Sequence, residues 1–205
     1  MMGIARFGAA IAVCTFATAA SAQQAYGVAD GGVRKHDGFF LQMQYGGAYQ
    51  DLSQNDADMS LSGGGASLSI AIGGTPAENF VIFGEVSAQL AVDPELEMRG
   101  QRYRSSQDVS LGFSTIGPGI AYYFGESNFF LSGMIGAARA TLEGPTGSVT
   151  AGGFGGRFGL GKEWWVSDQW GLGLAANVYR AAVTDSVDAE LSTTAFALSF
   201  SATYH

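Results

Sequence analysis

The sequence contains few cysteines, prolines and charged residues. Its one cysteine, Cys14, lies in an apolar N-terminal stretch, so the rest of the chain can form neither a disulfide nor a thiolate metal site. Only 4 prolines accompany the 31 glycines, which is unlike the Pro-rich composition of disordered chains. Charged residues make up 14% of the chain, against ~25% in an average soluble domain. The composition therefore excludes a disulfide-stapled scaffold and argues against disorder.

Basic residues are also scarce, and the formal net charge is −8. Without a basic stripe to neutralise phosphates, the chain is not expected to bind nucleic acid. The acidic segment "DLSQNDAD" (51–58) lacks the Gly and the terminal Glu of a calcium loop, so no metal or cofactor is predicted. His36 and His205 lie near opposite ends of the exported chain, and neither is expected beside a serine, so we predict that the protein is not an enzyme.

The N-terminus, "MMGIARFGAAIAVCTFATAASAQQ", has the three parts of a secretory signal. Arg6 is a short positive region, residues 7–20 are apolar or small, and Ala20-Ser21-Ala22 fits the small-residue cleavage rule. The stretch is shorter than the ~20 apolar residues that a spanning helix needs. We predict a cleaved signal peptide over 1–22, export from the cytoplasm, and an N-terminal periplasmic segment over 23–37, which shows no periodicity.

From residue 38 to residue 205 the dominant pattern is a two-residue alternation. In "FFLQMQYGGAY" (39–49), large apolar residues occupy odd positions, while Gln42 and Gln44 occupy even ones. Seven further segments alternate in a similar way, which predicts eight strands. A change of apolar parity between Phe113 and Ile116 predicts a β-bulge within 114–119.

The expected connections alternate in length. Short turns are predicted near 74–79, 125–128 and 166–169, and longer polar loops near 50–60, 93–107, 142–150 and 184–192. The range 93–107 is acidic and then basic, which favours a hairpin whose arms pair charges; a partner-binding loop is the alternative. Short turns at one end and long loops at the other are typical of outer-membrane barrels.

Residue size decides which face of the predicted barrel is inside. The lumen of an eight-stranded barrel is narrow and is filled by side chains, so the small and polar residues fit there better than the large apolar ones. The apolar set then faces lipid, and ring closure satisfies the backbone hydrogen bonds. We predict an all-β, eight-stranded antiparallel up-and-down transmembrane β-barrel over 38–205. A soluble exported barrel that binds an apolar ligand is the less favoured alternative.

The signal peptide, the eight strands and the closing "TTAFALSFSATYH" resemble the small outer-membrane barrels of the OmpA-transmembrane, OmpX and OmpW kind. The resemblance covers 38–205 and rests on pattern rather than on invariant motifs. It implies a monomer in the outer membrane, in contact with the lipid bilayer and inserted by the outer-membrane assembly machinery. Such barrels usually end on Phe or Trp, whereas this chain ends on Tyr204-His205.

Three groups of candidate site residues follow from the strand parities. Inward polar positions predict a salt-bridge and hydrogen-bond network in the lumen, formed by Glu85, Arg157, Glu163, Gln42 and Gln44. Aromatic residues near strand ends predict the membrane interfaces, at Trp164, Trp165, Trp170, Tyr122, Tyr123 and Tyr204. Two outward arginines, Arg139 and Arg180, lie about ten residues from their turns and are candidates for lipopolysaccharide contact, with ordinary interfacial snorkelling as the alternative.

The predicted function is structural or interactive: an outer-membrane barrel with polar loops displayed outside the cell. A narrow pore or transporter for small or hydrophobic molecules is the alternative. In that case the inward charges would line a gated pathway instead of sealing the lumen.

Overall fold

The computed structural model describes residues 36–54, 59–92, 94–98, 101–104, 109–145, 147–184 and 190–205. The predicted signal peptide and most of the segment 23–37 lie outside these ranges. Among the described residues, no helix is long and apolar enough to cross a membrane. The strands are β1 (Gly38–Gln54), β2 (Met59–Ala77), β3 (Phe80–Val92), β4 (Glu95–Met98), β5 (Gln101–Arg104), β6 (Ser110–Tyr123), β7 (Phe129–Gly144), β8 (Gly147–Trp165), β9 (Trp170–Thr184) and β10 (Glu190–Tyr204).

Eight long antiparallel strands of the described chain close into a ring. Their order is β1-β10-β9-β8-β7-β6-β3-β2, and β1 pairs with both β10 and β2. The short strands β4 and β5 form a hairpin whose first arm pairs with β2. The predicted barrel architecture is confirmed, with sequence-adjacent long strands as neighbours and the first strand joined to the last.

The two ends of the barrel differ, and we name them by their connections. At the turn end, β2–β3, β6–β7 and β8–β9 are joined by a few residues each, including a 3₁₀ turn at Gly125–Ser127. Asn79 and Asn128 adopt left-handed conformations there, with φ of 64° and 52°. At the opposite, hairpin end, the strands run further than expected. The predicted loop over 142–150 is wrong for this reason, since β7 and β8 pair down to Gly144 opposite Gly147.

Strand length explains the hairpin end. The strand β2 has 19 residues, whereas ~9–11 residues cross a bilayer. The surplus continues the ladder beyond the apolar band. Its outward positions carry Ser60, Ser62 and Gly64, which are compatible with water, while Met59 and Leu61 have inward parity. The segment 93–107 likewise contains the predicted hairpin, with Glu95 opposite Arg104 and Glu97 opposite Arg102 in the strand register.

The alternation seen in the sequence corresponds to the inside and the outside of the ring. Gln42 and Gln44 are buried in the lumen, while Met43 and Tyr45 between and after them are exposed. The outer surface is therefore apolar around the barrel, with exposed side chains such as Ile82, Phe158 and Leu198.

The predicted bulge in β6 is wrong. Every residue pair described between β6 and its neighbours β3 and β7 follows one continuous register. The parity changes instead because Leu111 and Phe113 are apolar residues that point into the lumen, where they are 1% and 2% exposed. A register shift does occur in the pairing of β2 with β3, between Gly74 and Ala77 of β2.

Candidate functional site in the barrel lumen

An ion pair crosses the middle of the lumen. Arg157 of β8 and Glu85 of β3 have inward parity on strands that are not neighbours, so their side chains meet across the interior. The Arg157 Nε donates to Glu85 Oε1 at 2.8 Å, and its Nη2 forms an ion pair with Oε2. The two residues are 4% and 3% exposed. A paired, multiply hydrogen-bonded arrangement is the form in which buried charges are tolerated.

The guanidinium also holds neighbouring polar groups. Its Nη1 donates to Ser132 Oγ at 2.8 Å and to Asn177 Oδ1 at 2.9 Å. The Asn177 amide donates in turn to Gln44 Oε1 at 2.8 Å. The Gln44 amide then donates to Gln42 Oε1 at 2.9 Å. The network thus runs from β3 through β8 and β9 to β1, which places a continuous polar layer across the lumen.

Glu163 forms the other end of the network. One carboxylate oxygen, Oε1, accepts hydrogen bonds from Gln42 Nε2 at 3.1 Å, from Ser201 Oγ at 3.2 Å and from the Thr203 hydroxyl. The other oxygen, Oε2, has no hydrogen-bond partner among the described residues and lies 3.8 Å from His205 Nε2. All five residues predicted for the lumen therefore lie in one connected network.

The barrel closes at the turn end with two histidines that are 169 residues apart in the sequence. His36 Nδ1 lies 3.0 Å from His205 Nε2, and His36 Nε2 lies 3.0 Å from Asn128 Oδ1. The His36 ring also stacks on Tyr123, with centroids 3.9 Å apart, and Trp165 lies beside it at 5.0 Å. Sequence reasoning placed the histidines at opposite chain ends and missed this contact.

The surroundings of His36 oppose its protonation. Burial, and then the neighbouring His205, lower the pKa of His36 to about 4. Asn128, Glu163 and Asp37 act in the opposite direction but do not offset the loss of solvation. The His36 ring is therefore neutral near pH 7, and one of its nitrogens can accept a hydrogen bond.

Apolar clusters lie on both sides of the polar layer. The turn-end cluster contains Phe40, Val81, Phe83, Tyr123, Phe130 and Met134, together with three alanines. The hairpin-end cluster is built around Phe113, Tyr179 and Val183, with Ala138, Ala140, Ala151, Ala181, Ala195 and Ala197. The expectation of an interior made only of small and polar residues is therefore wrong, because aromatic side chains fill the lumen above and below the network.

The prediction that Tyr123 is a membrane-interface aromatic is wrong. It is fully buried inside the barrel, whereas its neighbour Tyr122 is 46% exposed on the outside. Adjacent residues of a strand point to opposite faces, so the pair cannot share one environment. Trp165 is half-buried near the two histidines, and Trp164 is 51% exposed.

The remaining predicted surface residues lie on the outside. Trp170 and Tyr204 pack edge to face at 5.4 Å, and the Tyr204 hydroxyl donates to Gln169 at 2.9 Å. Arg139 and Arg180 are both exposed. They flank β8 from its two sides, opposite Gly152 and Gly156 respectively.

Gly159 has no side chain, and this leaves the space that the polar layer occupies. A Cβ built on Gly159 would lie 2.8 Å from Ser132 Oγ and closer still to the Arg157 and Asn177 polar atoms. Such distances are far below ordinary contact, so even alanine would displace the guanidinium or its partners. No group of three or more His, Cys, Asp or Glu that could hold a metal ion occurs among the described residues.

Solved structures of other proteins share this architecture. No protein-family model and no curated relative matches the chain. Among solved structures, Neisserial surface protein A is similar with a TM-score of 0.53 and 15% identity, over 81% of this chain and 96% of that one. The outer-membrane protein OprG from Pseudomonas aeruginosa follows with a TM-score of 0.48 and 13% identity, over 85% and 100%. Ail, the attachment invasion locus protein of Yersinia pestis, has a TM-score of 0.45 and 12% identity, over 80% and 99%.

The fold and these likenesses define a class. The chain has the fold of the small eight-stranded outer-membrane β-barrels, as its sequence predicted. At this level of identity the likeness concerns the fold and does not extend to an activity.

Proposed function

We propose that the protein is a monomeric, non-enzymatic barrel of the outer membrane that stabilises the envelope and presents its strand hairpins outside the cell. The observation that carries the proposal is the buried Arg157–Glu85 pair and its network across the lumen. A side-chain network that is fully buried leaves no water-filled path beside it. A sealed lumen favours a structural or surface role over conduction.

The outer surface supports a membrane location. Large apolar side chains, such as Ile116, Phe154 and Phe200, are more than half exposed. A contiguous apolar surface of this extent is unfavourable in water and suits the hydrocarbon core of a bilayer. The signal sequence over 1–22 and insertion by the assembly machinery complete the proposed route to the outer membrane, and the hairpin end then faces outward.

Lipopolysaccharide is the proposed partner of the outer surface. Arg139 and Arg180 project outward roughly ten residues from the turn end, which is about the height of the apolar band. Guanidinium groups bind phosphate oxygens in bidentate fashion, so two arginines on either side of β8 suit the phosphates of an outer-leaflet headgroup.

The proposed absence of catalysis is supported by the partners of the two histidines. In the described chain, His36 and His205 contact each other, Asn128 and Glu163, and rings stack around them. These contacts close the barrel mouth and use the groups that a general base would need.

Conductance in planar bilayers separates this proposal from the narrow-pore alternative. Purified protein, with folding verified on the same sample by heat-modifiable migration, is expected to insert without opening channels. A heat-unfolded preparation of the same protein controls for detergent leaks. Reproducible unitary channels from folded protein alone would overturn the proposal in favour of the pore. Solubility without detergent would instead support the soluble barrel.

A further inference from the structure

The hydrogen bond between the two histidines at the turn end has a direction that their neighbours fix. His36 Nε2 lies 3.0 Å from Asn128 Oδ1, which can only accept, so this nitrogen carries the ring proton of a neutral His36. The other nitrogen, Nδ1, must then accept. Its donor is His205 Nε2 at 3.0 Å, since His205 Nδ1 is farther away at 3.4 Å. The bond therefore runs from His205 Nε2–H to His36 Nδ1.

The backbone holds the neighbours of His36 more firmly than His36 itself. Asn128 follows the 3₁₀ turn in a left-handed conformation, and its carbonyl accepts from the β8 backbone at 3.0 Å. The His205 amide donates to Gln169 O at 3.0 Å. His36 precedes β1, and its carbonyl accepts from the Asn79 amide at a longer 3.4 Å. His36 is therefore the group that can leave the mouth.

An unused acceptor lies on the other side of His205. Glu163 is 2% exposed, and its Oε2 accepts no hydrogen bond among the described residues. This oxygen lies 3.8 Å from His205 Nε2, just beyond hydrogen-bond distance. A buried acceptor without a donor is unfavourable. The His205 N–H thus has two competing acceptors: His36 Nδ1, which it contacts, and Glu163 Oε2, which it does not reach.

One proton on His36 decides between these acceptors. Protonation turns His36 Nδ1 into a donor, so two N–H groups would face each other at 3.0 Å and the hydrogen bond would be lost. Burial, and then His205, lower the pKa of His36 from its ordinary 6.5 to about 4. A state in which the ring reaches water binds the proton more tightly, so acid favours that state.

The surroundings of His36 do not hold the protonated ring in place. The titratable side chains around it come from three strands and from its own segment: Tyr123 of β6, Glu163 of β8, His205 after β10, and Asp37. Glu163 and Asp37 favour the proton, but burial and His205 outweigh them. Tyr123 covers one face of the ring, with centroids 3.9 Å apart, and keeps water from it.

We infer that the turn-end mouth is a proton-operated latch. Uptake of one proton at His36 Nδ1 exchanges the hydrogen bond from His205 to His36 for one from His205 to Glu163 Oε2, and His36 leaves the mouth. The start of β1 is thereby held at neutral pH and released in acid. The Arg157–Glu85 pair takes no part in the exchange, so the lumen stays sealed. The latch does not rest on the proposed function; only the compartment whose pH it senses, the periplasm, does.

Nitrogen-15 NMR of the two imidazoles tests the latch in the protein folded in lipid nanodiscs. At pH 7, His36 is expected as the Nε2–H tautomer. On acidification, its Nδ1 signal should move to the protonated form with a midpoint between pH 6.5 and pH 4. The His205 nitrogens should shift at the same midpoint, because their acceptor changes. An Nδ1–H tautomer of His36 at pH 7, or His205 nitrogens that do not follow the His36 transition, would overturn the latch.

Hydrogen exchange of the Asn79 amide, which donates to His36 O, measures the release. Its protection relative to the mid-strand amide of Ser132 should fall by about 100-fold between pH 7 and pH 4, the ratio that pKa values of 6.5 in water and about 4 in the mouth produce. An equal loss at Ser132 would mean unfolding of the whole barrel and would overturn the local release, as would no loss at Asn79.

Two variants assign the effect to His36. His36→Gln keeps an acceptor for His205 but cannot titrate, so the pH dependence of Asn79 protection should disappear. Asp37→Asn removes the exposed carboxylate of the next residue and should retain that dependence. A pH dependence in His36→Gln equal to that of the unmodified protein would overturn the latch. If His36→Gln does not fold, the imidazole spectra of the unmodified protein decide.

Discussion

Removing the central guanidinium is expected to destabilise the barrel strongly. In Arg157→Ala, Glu85 keeps its buried position but loses its charged partner, and Ser132 and Asn177 lose a donor. Leaving one buried charge without its partner costs ~3–5 kcal/mol. With a urea dependence of roughly 2 kcal/mol per molar, the unfolding midpoint should fall by about 2 M.

Reversible urea unfolding in detergent or lipid vesicles, followed by tryptophan fluorescence and by heat-modifiable migration, measures this change. Arg139→Ala removes the same side chain from an exposed position on the outside and serves as the matched control, with no resolvable change expected in the absence of lipopolysaccharide.

A double-variant cycle tests whether the loss of stability in Arg157→Ala comes from the unpaired carboxylate of Glu85. If the cost arises from the unpaired carboxylate, Glu85→Ala combined with Arg157→Ala should be no less stable than Arg157→Ala alone, because the orphaned charge is gone. A loss below about 1 kcal/mol in Arg157→Ala, or strict additivity in the double variant, would refute the assignment of a sealed ionic layer.

Three further results are expected. Gly159→Val should lower the free energy of unfolding by ~1–3 kcal/mol through overpacking against the polar layer, whereas Gly152→Val on the same strand, where a Cβ meets open space, should not; equal losses would contradict the close-approach argument. Arg139→Glu with Arg180→Glu should reduce the lipopolysaccharide that co-purifies, measured by phosphate or endotoxin assay, and an unchanged amount would favour simple snorkelling. The pKa of His36 is lowered to about 4 in the folded barrel. Between pH 6.5 and pH 4 the histidine is therefore protonated in the unfolded chain but neutral in the folded one, so the free energy of unfolding should fall as the pH decreases through this window. The variant H36Q should show a smaller fall, and an identical pH profile would exclude the titration of His36 as the cause.

The strand parities could be predicted wherever one face is polar. In β1, Gln42 and Gln44 alternate with large apolar residues, and this contrast fixed both the strand and its inner face. The contrast disappears in "NFVIF" (79–83), where Phe80 and Ile82 face outward while Val81 and Phe83 face inward. Apolar residues on both faces leave no two-residue signal, so the aromatic clusters of the lumen could not be read from periodicity.

The histidine contact could have been found by a different route. An up-and-down barrel with an even number of strands brings its first strand beside its last, and both termini then lie at the turn end. His36 lies two residues before β1, and His205 follows β10 directly. Their contact thus follows from ring closure, which depends on the whole topology and not on any local pattern.

The aromatic and aliphatic clusters explain how a charged pair can persist in this lumen. Water reaching Arg157 and Glu85 from either end would screen their attraction and compete for their hydrogen bonds. The turn-end cluster, beneath which His36 and His205 close the mouth, excludes water from one side, and Phe113 with Tyr179 excludes it from the other. The buried pair is therefore enclosed by apolar side chains on both sides, which preserves its attraction and its hydrogen bonds.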